Sequence, residues 1–172
     1  MFGIGIMGAG RVIGSHLRAV SNVEQVRLLA IAEKDPQKLA NFVRQNQCEG
    51  YSDYRELLQH EGIDIVINCL PHFLHCESAV AALEAGKHVL IEKPMAMTVD
   101  ECDRMIEAAK RNNVKLAIGH MHHFIPVNQT AKRILASGEL GDVIMATDLW
   151  YKPHLPEHRP AWMLDRQYGG GM

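Results

Sequence analysis

Short apolar runs of strand length alternate with segments of helical period over the first two thirds of the chain. The apolar runs lie at residues 2–7, 26–32, 63–70, 88–91 and 114–119, and amphipathic segments separate them. Strands that are apolar on nearly every residue are covered on both faces, as in parallel sheets joined by crossover helices. The alternation therefore predicts an α/β fold with a doubly wound parallel sheet of the Rossmann type.

Polar signals at the helix ends agree with this pattern. Asp35 and Pro36 occupy the cap and the first position of a helix over DPQKLANFVRQN. Gly86 follows the helix over HCESAVAALEAG as its C-terminal glycine. Thr98 and Glu101 have the spacing of a capping box at the start of the next helix. Three of the five apolar runs are thus followed by a helix with its own boundary signal.

Composition and charge narrow the class of protein. The 172 residues carry 18 Lys and Arg against 20 Asp and Glu, a net charge of −2, without a long run of one sign. This balance argues against a nucleic-acid or anionic-membrane surface. No apolar segment has the length of a membrane span, and the N-terminus lacks the features of a secretion signal. Four scattered cysteines without a CxxC pair indicate reduced thiols, so we expect a cytoplasmic protein.

The alternation stops near residue 120. A helix over PVNQTAKRILASGELG and a strand over 142–151 are predicted next, followed by a stretch rich in Pro and Gly. We therefore assign 1–120 to a first domain and 121–172 to the beginning of a second, incomplete one. The predicted strand has no evident sheet to join, and its open edge predicts self-association, hence a homo-oligomer.

The first predicted strand-to-helix turn contains two glycines, Gly8 and Gly10. Missing side chains there allow a tight turn and the close approach of a pyrophosphate. The residues that open the following helix offer N–H groups and a partial positive charge to an anion, and they are Arg11, Val12 and Ile13. These five residues are our candidates for phosphate binding.

The glycine pattern departs from the full G-x-G-x-x-G motif. Ile13 occupies its third glycine position, and Gly14 comes one residue late. A second formal match, at Gly3, Gly5 and Gly8, lies inside the predicted strand and is discarded. The motif is therefore supported by its context, because it follows a strand, precedes a helix and has an acidic partner further on.

That acidic partner is Glu33, at the end of the second predicted strand. A carboxylate at this position accepts the ribose hydroxyls of an adenosine and repels a 2′-phosphate, so it predicts NAD as the cofactor. Lys34 leaves NADP open, since a cation beside the ribose could receive the extra phosphate. The alternative is a solvated turn, and the nearby glycines favour cofactor binding for Glu33.

Several segments together resemble the N-terminal half of the glucose–fructose oxidoreductase/inositol dehydrogenase (Gfo/Idh/MocA) family. They are GAGRVIGSH, AEKDP, YSDYRELL, GHMHHFIPV and a block from Asp64 to Pro94 that contains P-x-x-x-H, ALEAGKHV and EKP. The resemblance implies an NAD(P)-dependent oxidoreductase that acts on a sugar, cyclitol or related diol. It also implies a Rossmann domain followed by an α+β domain with a large, mostly antiparallel sheet.

The same resemblance implies roles for the Glu92-Lys93-Pro94 segment. Lys93 would lie at the carboxyl end of a central strand, facing both the nicotinamide ribose and the substrate. Its ammonium would hydrogen-bond the reacting oxygen and stabilise negative charge as the proton leaves. Glu92 would hold the lysine or the ribose. Lys93 is the catalytic residue that we predict.

A second strand end supplies the remaining cofactor-binding candidates. The resemblance implies that this loop passes along the nicotinamide side of the cofactor, and its candidate residues are Cys69, Leu70, Pro71 and His75. Alternatively, His75 only opens the next helix. The histidines at 120, 122 and 123 have neither His-Glu-x-x-His spacing nor an obvious carboxylate companion, so we predict no metal site.

The resemblance implies one more group that this sequence does not supply. Family members usually carry a catalytic Asp or His on the helix after a GGG stretch, whereas Gly169-Gly170-Gly171 is followed only by Met172. We therefore expect the active site to be completed beyond residue 172. Two other functions stay open: a dinucleotide-binding fragment without turnover, and an NADP-dependent reductase of a small carbonyl or dihydrodiol.

Overall fold

The computed structural model describes residues 1–149 and 159–169, which form two compact units. One unit comprises 1–119 with 161–169, and the other comprises the described part of 120–160. The first unit contains a six-stranded parallel sheet of order β3-β2-β1-β4-β5-β6. Its strands are β1 (Phe2–Met7), β2 (Val26–Ala32), β3 (Glu49–Tyr51), β4 (Ile65–Asn68), β5 (His88–Ile91) and β6 (Leu116–Ile118). The predicted doubly wound α/β fold is confirmed.

Five helices cover the two faces of this sheet, and alternating strand residues supply a core to each face. The helices are α1 (Ile13–Ser21), α2 (Pro36–Asn46), α3 (Tyr54–Leu58), α4 (His75–Glu84) and α5 (Val99–Arg111). Residues of α1 and α2 pack with Ile6 and Ile67. Residues of α3, α4 and α5 pack with Met7 and Val66. Each neighbouring pair of strand residues therefore faces opposite cores, as the pleat requires.

Most of the predicted elements have the expected positions. β1, β2 and β5 have the predicted bounds, and β4 and β6 are shorter than predicted. The carboxylate of Asp35 caps α2 by accepting the N–H groups of Gln37 and Lys38, and Gly86 has the expected positive φ of 74°. The sequence did not predict β3 and α3, because elements of three and five residues are too short to show a period.

The second unit differs from the sequence prediction. It contains a 3₁₀ turn (Met121–Phe124) and α6 (Pro126–Ser137), which ends at Gly138. Residues 143–149 form no strand, contrary to the prediction for 142–151, of which 150 and 151 lie outside the described residues. A strand needs a neighbour for its backbone hydrogen bonds, and the described part of this unit offers none. The side chain of Ile144 is consequently 97% exposed.

Residues 161–169 pack with the first unit, although the predicted division at residue 120 assigned them to the second. They form α7 (Ala161–Leu164) and α8 (Arg166–Gly169). The ring of Trp162 meets His72 edge-on with centroids 4.8 Å apart, and Tyr168 meets Phe73 at 5.0 Å. These ring contacts join segments far apart in sequence, which a local pattern does not predict. Gly170 and Gly171 lie outside the described residues.

Candidate functional site

The candidate site residues lie at one edge of the sheet, where the carboxyl ends of β1, β4 and β5 meet. Strand order reverses between β1 and β4, and open α/β sheets bind their ligands at such a reversal. The glycine turn follows β1, the loop at 69–71 follows β4, and Glu92 and Lys93 follow β5. The fold therefore brings together segments that are separated by up to about eighty residues of sequence.

The glycine turn at Gly8 requires glycine. Its φ is +90°, and a Cβ built there would lie 3.0 Å from the carbonyl oxygen of Cys69. At Gly10 the same oxygen would be 3.8 Å away, an ordinary contact. The backbone of the turn thus lies against the loop after β4 and leaves no side chain in front of the helix start. This arrangement fits the close approach of a pyrophosphate.

Ile13, which stands at the third glycine position of the motif, has a packing function. Helix α1 begins at Ile13, after Val12, whose side chain caps no backbone group. The Ile13 side chain packs against the core on the α1 face of the sheet, whereas a Cβ at Gly14 would meet nothing within 4 Å. Ile13 therefore contributes apolar packing between helix and sheet. Arg11 and Val12 lie exposed at the helix start.

The glycines inside β1 have a packing function, which supports setting aside the formal match that includes them. A Cβ at Gly3 would overlap the carbonyl oxygen of Gly62, and one at Gly5 would lie 2.9 Å from Cδ2 of Leu57. The first contact is with the turn before β4, and the second is with α3. These glycines therefore allow close packing rather than a turn.

Glu33 joins the end of β2 to the glycine turn. Its Oε2 accepts the backbone N–H of Ala9 at 2.8 Å, and its Oε1 accepts the N–H of Asp35 at 3.0 Å. The carboxylate is therefore fixed beside the phosphate-binding candidates. The side chain of Lys34, the next residue, is exposed to solvent.

Glu92 is held by a residue that the sequence analysis did not identify. Nε2 of His16, on α1, lies 2.9 Å from Oε1 of Glu92, and the backbone N–H of Lys93 donates to Oε2 at 3.3 Å. The hydrogen bond from His16 is the main cause that lowers the pKa of the Glu92 carboxyl. A sequence signal existed: Leu90 faces the α1 core, so strand alternation places Glu92 on the same face.

Lys93 extends from the sheet edge into solvent. Its side chain is exposed, and its peptide bond to Pro94 is cis. Within the part of the chain that the structure describes, its Nζ makes no hydrogen bond and no ion pair. Its positive charge acts on the neighbouring Glu92 carboxyl and on His72, and it lowers the pKa of both. The ammonium is therefore available to a ligand at the sheet edge.

His75 connects two loops of the site from inside the protein. The residue is fully buried, with Nδ1 2.8 Å from the carbonyl oxygen of Pro94 and Nε2 2.8 Å from that of Leu70. Burial lowers the pKa of His75, against the opposing effect of the two carbonyls. Both ring nitrogens thus face backbone carbonyls and the ring does not reach solvent, and cofactor binding by His75 stays a prediction.

The loop after β4 presents backbone and partly buried side chains to the site. Cys69, Leu70 and Pro71 are all half-buried. Burial raises the pKa of the Cys69 thiol to about 12, so the thiol stays protonated near neutral pH and is a poor nucleophile. All four cysteines are unpaired.

Two features are absent from the described ranges 1–149 and 159–169. No group of three or more His, Cys, Asp or Glu side chains is arranged to hold a metal ion there. Those ranges also contain no helix of sufficient length and apolarity to cross a bilayer.

The parallel sheet, the glycine turn and the carboxylate at the end of β2 define a Rossmann-type dinucleotide-binding protein. The model of the Gfo/Idh/MocA oxidoreductase family, described as an NAD-binding Rossmann fold, matches residues 2–120. The chain belongs to this family, as the sequence resemblance indicated.

Named relatives agree with this assignment. A 1-carboxy-3-chloro-3,4-dihydroxycyclohexa-1,5-diene dehydrogenase of Comamonas testosteroni is 34% identical over 98% of this chain and 43% of the relative. Inositol 2-dehydrogenase of Salmonella typhimurium is 32% identical over 90% of this chain and 48% of the relative. Scyllo-inositol dehydrogenase of Lactobacillus casei, solved with NAD(H) and scyllo-inositol, has 28% identity and a TM-score of 0.78, covering 83% of this chain and 43% of that one. The chain therefore spans somewhat under half the length of these relatives.

Proposed function

We propose that this protein is an NAD(P)-dependent oxidoreductase that transfers a hydride between nicotinamide and a carbinol or carbonyl carbon of a sugar, cyclitol or related diol. The observation that carries the proposal is the exposed Lys93 ammonium, which has no acceptor among the described residues and stands at the same sheet edge as the glycine turn. Family membership supports the reaction type. The relatives named above support a polyol-like substrate.

NAD is the cofactor that this site favours, and it would supply the hydride acceptor of the oxidation. After accepting one N–H each, both oxygens of Glu33 keep a free lone pair for the ribose hydroxyls. The negative charge of the carboxylate disfavours a 2′-phosphate at the same position. The backbone of Gly8 and Gly10, with the start of α1, would accommodate the pyrophosphate.

Lys93 is the group that we assign to the reacting oxygen. Its ammonium donates hydrogen bonds, so it would hold a substrate hydroxyl at the sheet edge and align the carbinol carbon for transfer. The positive charge also stabilises the oxygen as its proton leaves. Glu92 precedes it and is fixed by two hydrogen bonds, which limits the movement of the lysine backbone.

An NADP-dependent reductase of a small carbonyl or dihydrodiol is the second candidate. The exposed Lys34 next to Glu33 favours it, since a cation there could receive a 2′-phosphate. The similarity to a dehydrogenase of a chlorinated dihydroxycyclohexadiene supports a dihydrodiol substrate. Dinucleotide binding without turnover is the third candidate. For each of the three we expect a cytoplasmic homo-oligomer.

Binding and turnover are tested separately. NADH and NADPH are titrated in parallel by their fluorescence, and inositols, sugars and dihydrodiols are then screened for absorbance of the reduced cofactor. Preference for NADH with polyol oxidation supports the proposal, preference for NADPH selects the second candidate, and binding without turnover selects the third.

The function of Lys93 is tested with the first substrate found. Lys93→Met keeps the length and removes the charge, so kcat/KM should fall at least about tenfold, roughly 1.4 kcal/mol of transition-state stabilisation. Lys110→Met, at an exposed position in α5, is the matched control and should keep full activity. Near-normal turnover by Lys93→Met would remove Lys93 from the reaction.

A further inference from the structure

We propose that His16 is a positioning residue of the Lys93 site: it fixes the Glu92 carboxylate and, through that carboxylate, the backbone that carries Lys93. This inference rests on the proposed function, because it assigns His16 a part in the same reaction. The side chain of His16 hydrogen-bonds Glu92. Its connection to the site runs through Glu92.

The side chains of His16 and Glu92 are in direct contact. The Nε2···Oε1 distance of 2.9 Å is that of a good hydrogen bond, and both side chains are largely shielded, 14% exposed for His16 and 18% for Glu92. An ionised carboxylate only accepts, so Nε2 must carry the proton. Hydrogen bonds to a charged group in such partly buried surroundings are stronger than neutral ones. The contact therefore restrains both side chains.

The other contacts of Glu92 restrict the position of its carboxylate. Its backbone N–H donates to the carbonyl of Asn68 at 3.0 Å, which extends the β5–β4 pairing past the strand. Its Oε2 accepts the N–H of Lys93. A Cβ at Gly119 would lie 3.5 Å from Oε1, so the carboxylate lies between α1 and the end of β6. His16 closes this space from the helix side.

His16 connects α1, the helix that follows the glycine turn, to the strand end that carries Lys93. Ile13 anchors α1 on the sheet by its packing, and His16 follows one turn later on the same helix face. The helix that would receive the pyrophosphate and the strand end that presents Lys93 are thus joined by one hydrogen bond. A misplacement of about 1 Å in a catalytic group costs up to roughly a hundredfold in rate.

The titratable groups around Glu92 determine its pKa, which can be measured. The groups that face it are His16 from α1, Lys93 from its own strand end, Cys69 after β4 and His75 from α4. The hydrogen bond from His16 contributes most to lowering the pKa of Glu92, and burial acts in the opposite direction. Without the donor, burial remains, so Glu92 should titrate at higher pH.

The first experiment follows this titration without any turnover. Side-chain carboxyl NMR signals of glutamate are recorded against pH, and the Glu92 signal is assigned by its loss in Glu92→Gln. His16→Gln places an amide donor near the position of Nε2, whereas His16→Asn has the same amide on a shorter side chain. We expect the titration midpoint of Glu92 to stay low in His16→Gln and to rise in His16→Asn. An unchanged midpoint in His16→Asn would overturn the proposal.

The second experiment measures kcat and KM with NAD and an active polyol. His16→Asn should lower kcat/KM roughly ten- to a hundredfold, mainly through kcat, and His16→Gln should restore most of it. If His16 acts through Glu92, adding Glu92→Gln to His16→Asn should cost less than the two single effects multiplied. Multiplying effects would overturn the proposal. Absence of any wild-type turnover would instead defeat the proposed function, while the NMR titration still decides the contact.

Discussion

The backbone N–H of Ala9 donates a 2.8 Å hydrogen bond to Oε2 of Glu33, so the acidic end of β2 holds the glycine turn after β1. Oε1 of the same carboxylate accepts the N–H of Asp35, the cap of α2. Glu33 therefore has a structural function in addition to the ribose contact that its position indicates. Replacing it should affect every dinucleotide, although by different amounts.

Glu33→Ala should weaken NAD binding more than NADP binding. Both cofactors lose the ordered turn at Ala9, but only NAD also loses the acceptor for its 2′-hydroxyl. Hydrogen bonds to charged groups contribute about 1.5–3 kcal/mol each, so NADH affinity should fall roughly ten- to a hundredfold. Fluorescence titration with NADH and NADPH measures both. Glu24→Ala, an exposed acid before β2, is the control, and an unchanged NADH/NADPH ratio in Glu33→Ala would remove Glu33 as ribose ligand.

Two glycines in the same motif should respond in opposite ways to alanine. Gly8→Ala forces a Cβ to 3.0 Å from the Cys69 carbonyl at φ +90°, which strains the turn and costs about 1–2 kcal/mol or more. Gly14→Ala meets nothing within 4 Å and lies inside α1, where alanine is favoured by up to about 1 kcal/mol. Thermal unfolding and NADH titration of both variants test this. Equal tolerance at the two positions would contradict the assigned turn geometry.

His75→Ala should destabilise the protein and loosen both loops of the site. It removes the single ring N–H of the neutral imidazole, which donates to the carbonyl of either Pro94 or Leu70, and leaves a cavity, at a cost of about 3 kcal/mol in the free energy of unfolding. His123→Ala, at an exposed position, should change it by less than about 0.5 kcal/mol. Urea unfolding measures both.

His75 also makes the stability of the folded protein depend on pH. Burial holds the pKa of His75 below its ordinary 6.5, so the folded state must take up a proton less readily than the unfolded chain. Its contribution to stability is present above pH 6.5 and is lost as the pH falls below that value. The wild type should therefore lose more stability on acidification than His75→Ala. A steeper loss in the variant would contradict the neutral, buried ring.

Cys69 should make the free energy of unfolding depend on pH in the alkaline range. Burial raises its pKa from 9.0 to about 12, so the folded state keeps the proton that the unfolded chain releases. Its contribution to stability is present below pH 9.0 and is lost as the pH rises towards 12. Cys69→Ala should therefore show a shallower decline of the unfolding free energy above pH 9.0, measured by urea unfolding. Parallel curves for variant and wild type would place the thiol in a more polar environment.

Local signals were sufficient for much of the fold. The apolar runs predicted β1, β2 and β5 with their bounds, because buried parallel strands need apolar residues on both faces. Asp35 was recognised as a cap because its bonds run to residues two and three positions on. The glycine requirement at Gly8 also follows from the short connection between β1 and α1. In the helix cap the interacting residues are neighbours in sequence, whereas the oxygen that a Cβ at Gly8 would approach belongs to the distant Cys69.

A strand was predicted at 142–151, but residues 143–149 do not form one. This difference shows what local sequence signals cannot predict. The segment has the apolar and aromatic character of a strand, but a strand exists only when a neighbour accepts its backbone hydrogen bonds. Residues 161–169 show the converse, because ring contacts with His72 and Phe73 join them to the first unit although their sequence has no clear period.

The sequence by itself thus determined the layered sheet, the glycine turn and the candidate Glu33, since period and spacing encode which face and which end of an element a residue occupies. The candidate Lys93 came from the resemblance to a known family. Only the tertiary structure decided what those side chains bond to. The separation of His16 from Glu92 is 76 residues and that of Glu33 from Ala9 is 24. Such contacts depend on how β1, β2 and β5 are placed side by side in the sheet, and no local pattern specifies that placement.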